Sequence, residues 1–410
     1  MLRAEQDGGR QTPRVARVYG GTLTRMRGLL LYGDTERSAA MRHEIPIAIG
    51  DPFLFAEAGG RQFVLTSSLE TNRVKRVLPE AEVLDYFGFG YKDLVENGMS
   101  RDEASREVEA RVVRQIGLDD AIVPGDFPLA LGDRLRAVGV VVTVDDNALA
   151  ARRRVKAPFE LEGMRAAQAA AQAAMTAASE LLAQAEPGTE GRLEVNGQPL
   201  LAEDVRSTLR ETSARHGALC PPDVIVASVW QGNGHEPGTG PLPAGLPIHV
   251  DIWPRHEESA CWADMARTFM VGDPAPEHGE LIAEQARLAR EALAQAHEAV
   301  RPGIRGRELF DATCDLFEAA GYKTQRNALG DEDGFQFSLG HGVGLEVHEP
   351  PSLGLAGHDP LVAGDVIAIE PGLWDRRVGG VTFEDLVLVT ETGGELLTSF
   401  PYDLTPRALS

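Results

Sequence analysis

Two acidic residues close a pair of apolar segments in one stretch of the chain, and two more do so in a second stretch that repeats the first. PLPAGLPIHVD, from Pro241 to Asp251, aligns without a gap on PLVAGDVIAIE, from Pro360 to Glu370, at an offset of 119, so Asp251 falls on Glu370. One residue of slippage later, Ala263-Asp264 falls on Phe383-Glu384. Each copy is also preceded by HEP, at 235–237 and at 348–350. A single copy would read as a PxxAG turn with acids at strand ends. Duplication predicts a pseudo-twofold pair of hairpins, each offering two carboxylates at the axis where the halves meet.

Acids on paired arms of a hairpin can point to one side, because side chains alternate along a strand. Four ionised carboxylates converging there cannot stay unpaired: each like pair at ~4 Å costs roughly 4 kcal/mol at an effective dielectric of 20. Two divalent cations would balance the four charges. Oxygen-rich ligation with one nitrogen favours Mn2+, with Co2+ or Zn2+ as alternatives. No cysteine pair at CxxC spacing offers a thiolate site. His341, inside Ser338-Leu339-Gly340-His341-Gly342-Val343-Gly344, is the candidate imidazole, since flanking glycines permit close backbone packing around it. The rival reading of that segment, a phosphate loop, lacks GK[ST].

These residues need two helical layers and strands to position them, and the pattern supplies both twice. Leu161, Met164, Ala171, Met175 and Leu182 describe one helix face ending at Pro187-Gly188; Ile282, Ala286, Ala289, Leu293, Ala296 and Val300 describe another ending at Pro302-Gly303. A second helical pattern follows each, through Leu201, Val205 and Leu209 and through Leu309, Thr313 and Leu316. Upstream, Phe53 to Ala56 and Phe63 to Thr66 flank Gly59-Gly60 as a hairpin, and Val138 to Val144 reads as a strand. The basic run Arg152 to Lys156, followed by Pro158, marks a boundary. The expected organisation is a polar tail at 1–12, an α/β domain at 13–155 and the repeated domain at 156–410.

At 410 residues two cores are expected, and a net charge of -22 disfavours a nucleic-acid partner. Cys220, Cys261 and Cys314 are few and odd in number, which suits a reducing compartment. The apolar runs are too short for a bilayer, so no membrane partner is expected, and a cytoplasmic location is.

The motifs resemble those of the pita-bread metallopeptidases, and the proline-specific branch of prolidase and Xaa-Pro aminopeptidase fits best. VDIW…ADMARTF is similar to the family's first ligand hairpin, GHGVGLEVHEPP to its histidine loop, AIEPGLW to its third ligand strand and GVTFEDLVLVT to its last. With VAS…GHEP these cover most of residues 156 to 402, while GDPFLF…VLTSSLE resembles the creatinase-type amino domain more loosely. The implied fold is α+β, a pita-bread domain with a pseudo-twofold repeat behind a smaller α/β domain.

The resemblance implies that Asp264 and Glu384 bridge two metals, that Asp251 chelates one, and that His341 and Glu370 bind the other. It assigns His235 and His348 to substrate and to proton passage, and makes Glu370 the proton carrier beside a hydroxide shared by the metals. The implied substrates are Xaa-Pro dipeptides, with aminopeptidase action on longer peptides as the alternative and a homodimer as the expected assembly. A non-catalytic peptide- or protein-binding module is the reading of another class, and such relatives lose ligands that this chain keeps. Three departures stand out. Asp251 and Asp264 are 13 residues apart, two more than the common spacing, which predicts an enlarged turn. Ala266 replaces a threonine beside Arg267, which is expected to make a structural salt bridge. Thr382 replaces an arginine two residues before the last ligand, leaving Arg376 or Arg377 as candidate carboxylate anchors.

Overall fold

The computed structural model describes residues 26–232 and 235–407; the polar tail expected at 1–12 lies outside them. A six-stranded mixed sheet comes first, built of β1 (Arg27–Gly33), β2 (Phe53–Ala58), β3 (Arg61–Thr66), β4 (Glu82–Asp85), β5 (Asp120–Val123) and β6 (Val141–Val144). Their order is β4-β3-β2-β1-β5-β6. The β2–β3 hairpin turns on Gly59 and Gly60 at φ 59° and 74°, the doubly left-handed turn that two glycines permit. The strand read from Val138 begins three residues later, because Val138 and Gly139 end the Leu129–Ala137 helix, Gly139 at φ 92°. Separate apolar clusters cover the two faces of the sheet, one around Leu30, Leu54, Leu65 and Val112, the other around Leu31, Met41, Phe55 and Val64.

The repeated part opens with the Pro158–Ala183 helix, started by a proline in its first turn and by Glu160 accepting the Ala157 N–H at 2.6 Å. Its buried face is mostly alanine, at 167, 171, 174 and 178, so the Ala202–Arg215 helix packs closely against it. The Pro276–Ala299 and Gly306–Ala319 helices are the corresponding pair in the second half. Beneath the first pair lies a sheet of Ile225–Ala227, Ile248–Ile252 and Met265–Phe269. Beneath the second lie Gly340–Gly342, Val366–Ile369 and Asp385–Val389, in the same antiparallel succession, with Glu349–Leu353 and Gly394–Leu396 added at the edges. Each half has its own apolar core.

The halves join where the Glu384 N–H donates to the Ala266 carbonyl at 3.0 Å. Arg267, 1% exposed, completes the junction. Its guanidinium donates to the carbonyls of Ala266, Glu384, Phe400 and Pro401 and to Asp385 Oδ1 at 2.8 Å, which also gives the salt bridge expected of it. Tyr402 donates to the other Asp385 oxygen at 2.6 Å. A buried guanidinium with five protein acceptors is fully satisfied, and here it fixes the backbone on either side of Glu384.

Basic side chains tie the first domain to the repeat. Arg154 forks onto Asp365 at 2.6 and 2.9 Å, Arg153 pairs with Glu346 at 2.5 Å, and Arg42 donates to the Glu258 and Ser259 carbonyls.

Candidate metal centre

Strand alternation sets the composition of the site. In Ile248–Ile252 the residues 248, 250 and 252 are wholly buried in a core, while His249 and Asp251 face the other side. Asp251 pairs with Ala266 across the hairpin, and Asp264 lies two residues before Ala266, so both acids share a face. In the second half His341 pairs with Ala368, two residues before Glu370, and Leu386 pairs with Ala368, two residues after Glu384. The repeat therefore turns both carboxylate pairs toward the junction.

His341 reaches that junction because its neighbours carry no side chains. A Cβ at Gly340 would stand 1.9 Å from the Ala368 carbonyl oxygen, and one at Gly342 would stand 2.4 Å from that of Pro350. The His341 ring places Nδ1 3.1 Å from the Gly342 carbonyl oxygen, which orients Nε2 inward, 3.7 Å from Asp264 Oδ2 and 3.6 Å from Glu370 Oε1. Asp264, His341 and Glu384 each present one donor atom within 4.8 Å of the others. Asp251 acts electrostatically on Asp264, Glu370 and Glu384, so all four acids feel one another.

Burial, followed by the charge of Asp251, pushes the Glu370 carboxyl up to about 8. Burial and the neighbouring carboxylates hold Asp264 and Glu384 well above the usual range. Burial, with His348 next, pushes His341 down to about 4, so its imidazole is neutral at neutral pH with a lone pair to give. Asp251 Oδ1 is buried without a hydrogen-bond partner. A cluster that must take up either protons or cations, with an orphaned carboxylate oxygen and a neutral imidazole, has the donor chemistry of a divalent-metal site.

His348 lies edge-on to His341, ring centroids 4.2 Å apart. Burial lowers its basicity, Asp251 opposes that, and His235 acts in the same sense as burial, which puts His235 in the same neighbourhood although its side chain is exposed. Beside Val347, a cleft of about 400 Å3 opens between the first sheet's loops and the repeat, lined by Arg37, Arg255 and Trp262 among others.

The connection between the Asp251 and Asp264 arms is held at its tip. After Ile252 the arms continue through an Arg255–Trp262 bridge to a turn at 256–260, where Ala260 takes φ 64° and Arg42 grips the carbonyls. Arg376 and Arg377 are committed elsewhere. Arg376 pairs with Asp333 at 3.1 Å and Arg377 with Asp375 at 2.7 Å, both on an exposed hairpin. At Thr382 the backbone N–H and carbonyl both engage the Thr268 hydroxyl, each at 3.0 Å. His249 shares the face of Asp251, two residues before it on the same strand.

The family model for metallopeptidase family M24 matches residues 162–391, which contain both hairpins and the His341 loop. The chain belongs to metallopeptidase family M24. Among curated M24-like relatives, the Xaa-Pro dipeptidases of Pyrococcus furiosus and Pyrococcus horikoshii are 37% and 36% identical over 142 residues. That match covers 35% of this chain, and it spans only 37% of the length of either relative. Solved structures align over nearly the whole chain. An Xaa-Pro dipeptidase from Bacillus anthracis superposes with a TM-score of 0.74 at 21% identity, covering 92% of this chain and 94% of that one. An X-Pro aminopeptidase from Thermotoga maritima gives 0.71 at 21%, covering 92% and 97%. The fold is thus the pita-bread fold of the M24 peptidases behind a smaller amino-terminal α/β unit.

Proposed function

We propose that the chain is a dinuclear metallopeptidase that cleaves the Xaa-Pro bond of dipeptides and short peptides, working in the cytoplasm as a homodimer. The observation that supports it most is the convergence of two repeat-related carboxylate pairs with the neutral imidazole of His341. In this reading Asp251, Asp264, His341, Glu370 and Glu384 hold two divalent cations, Mn2+ first among them. When bound, such ions supply Lewis acidity toward the scissile carbonyl and make water nucleophilic near neutral pH.

The chain's own residues supply the rest. Glu370, whose Oε1 lies 3.6 Å from His341 Nε2, carries the proton from the attacking water to the leaving imide nitrogen. His348, exposed and packed edge-on against His341, donates toward the developing oxyanion, and His235 approaches from the same exposed side. In this reading the amino-terminal α/β domain is 13–155 and the catalytic domain 156–410, and the Arg154–Asp365 pair joins them.

The reading is tested by comparing hydrolysis of Xaa-Pro dipeptides, Xaa-Pro tripeptides and Xaa-Ala dipeptides after loading with Mn2+. Turnover of Xaa-Pro dipeptides above the other two supports the dipeptidase; faster tripeptide turnover replaces it with an aminopeptidase. Stoichiometric metal without any turnover leaves only a peptide-binding module.

A further inference from the structure

The strand that carries Asp251 carries a second potential donor that the five-residue set leaves out. His249 precedes Asp251 by two residues, so its side chain leaves the strand on the same side, with 11% of its side-chain surface exposed. Its Nε2 lies 3.8 Å from Asp251 Oδ2. That is beyond a hydrogen bond, yet it matches the 3.7 and 3.6 Å that separate His341 Nε2 from the oxygens of Asp264 and Glu370. Two donors each about 2.1 Å from one ion stand roughly 3.0 to 4.2 Å apart as the angle between them opens from a right angle to a straight line.

Among the described residues, His249 Nδ1 has no hydrogen-bond partner. Across the sheet it faces Ala227, which has no polar side chain, and Thr268, whose hydroxyl is engaged with the Thr382 backbone. His249 Nδ1 and Asp251 Oδ1 are both buried without hydrogen-bond partners. Leaving such groups unsatisfied costs about 1–3 kcal/mol each. The fold does not ask for an imidazole here: the repeat-related position is Ala368, a core residue of the second half.

We propose that His249 is a sixth metal ligand, binding through Nε2 the cation that Asp251 holds, with Nδ1–H left to an ordered water as metal-bound imidazoles commonly arrange it. This rests on the dinuclear reading above. Each half of the repeat then contributes one imidazole, His249 beside Asp251 and His341 beside Glu370. The added nitrogen also turns the Asp251 ion toward metals that prefer imidazole, such as Co2+ and Zn2+, relative to Mn2+.

The test is calorimetric titration of metal-free wild type, His249→Ala and His249→Gln with Co2+ and with Mn2+, together with pulsed EPR of the Mn2+ forms to count coupled imidazole nitrogens. Wild type is expected to take two ions and show two imidazole nitrogens. Both variants are expected to keep one ion at wild-type affinity, to bind the other at least 10-fold more weakly with the larger loss for Co2+, and to show one nitrogen. Losing a hydrogen-bonded neighbour of a ligand already costs about 10–100-fold in affinity, so a lost ligand costs no less. Unchanged affinities and two nitrogens in the variants overturn the assignment of His249 while leaving the dinuclear reading intact. A wild type that takes up no ion overturns both. Circular dichroism of the metal-free variants, expected to match wild type, separates ligand loss from misfolding.

Discussion

Stripping the metals and raising the pH from 6.5 to 8 should destabilise the protein, and the cluster itself gives the size of the effect. In the metal-free fold the Glu370 carboxyl sits at about 8, whereas in the unfolded chain it titrates near about 4.3. Between those values the folded state holds a proton that the unfolded state has released, so stability falls as pH rises through the interval. His341 works in the opposite sense: at about 4 folded and about 6.5 unfolded, it adds stability as pH rises, but only up to about 6.5. The window from 6.5 to 8 therefore reads the raised carboxyls, those of the cluster together with Glu109, which burial in the first domain pushes up to about 7. Over those 1.5 units, at about 1.4 kcal/mol per unit, Glu370 alone removes about 2 kcal/mol, an order-of-magnitude figure for a side chain one-quarter exposed. Asp264 and Glu384, also raised, push the same way. For a domain of this size that is a Tm lower by about 4–8 °C. The assay is thermal unfolding followed by circular dichroism in a chelator at both pH values, repeated with saturating Mn2+ and with Glu370→Gln. The drop should shrink in the variant and shrink further with metal, down to the part due to Glu109, whose burial in the first domain keeps its carboxyl raised with or without metal. A metal-free Tm that stays level or rises from pH 6.5 to 8 refutes the argument.

Glu370→Ala should abolish measurable turnover, by at least about 10²-fold, with the fold retained; wild-type rates in that variant would remove Glu370 as proton carrier. Arg267→Met strands the buried Asp385 carboxylate and should cost about 3–5 kcal/mol in denaturant unfolding; a loss under about 1 kcal/mol would contradict its role at the junction. Arg376→Ala and Arg377→Ala should leave chain-end preference within about twofold of wild type, since both cations are exposed and already paired; a larger loss measured on dipeptides would return them to the site as carboxylate anchors.

The carboxylates were legible because the chain writes them twice: Asp251 and Glu370 end aligned, similarly patterned strands, and alternation along a strand settles which side they face. The glycines around His341 signalled a close approach, and the distances to Ala368 and Pro350 explain them. What stayed hidden depends on residues far apart in sequence. Arg42 holds the turn between Asp251 and Asp264 from 216 residues away, and the acids that occupy Arg376 lie 43 residues upstream, so neither partnership has a local pattern. His249 was hidden for a different reason. An imidazole alternating with Ile248 and Val250 looks like any solvent-facing strand residue until the second half of the repeat closes over it.

The proposed dinuclear, proline-directed centre of two repeat-related carboxylate pairs and His341 is tested most directly by metal content, determined on the same sample whose initial rates are taken on Xaa-Pro and Xaa-Ala dipeptides in Mn2+. Two ions per chain, with Xaa-Pro cleavage that disappears in a chelator and in His341→Ala, is the predicted result. Xaa-Pro cleavage that persists in metal-free protein, or no cleavage with both ions bound, contradicts it.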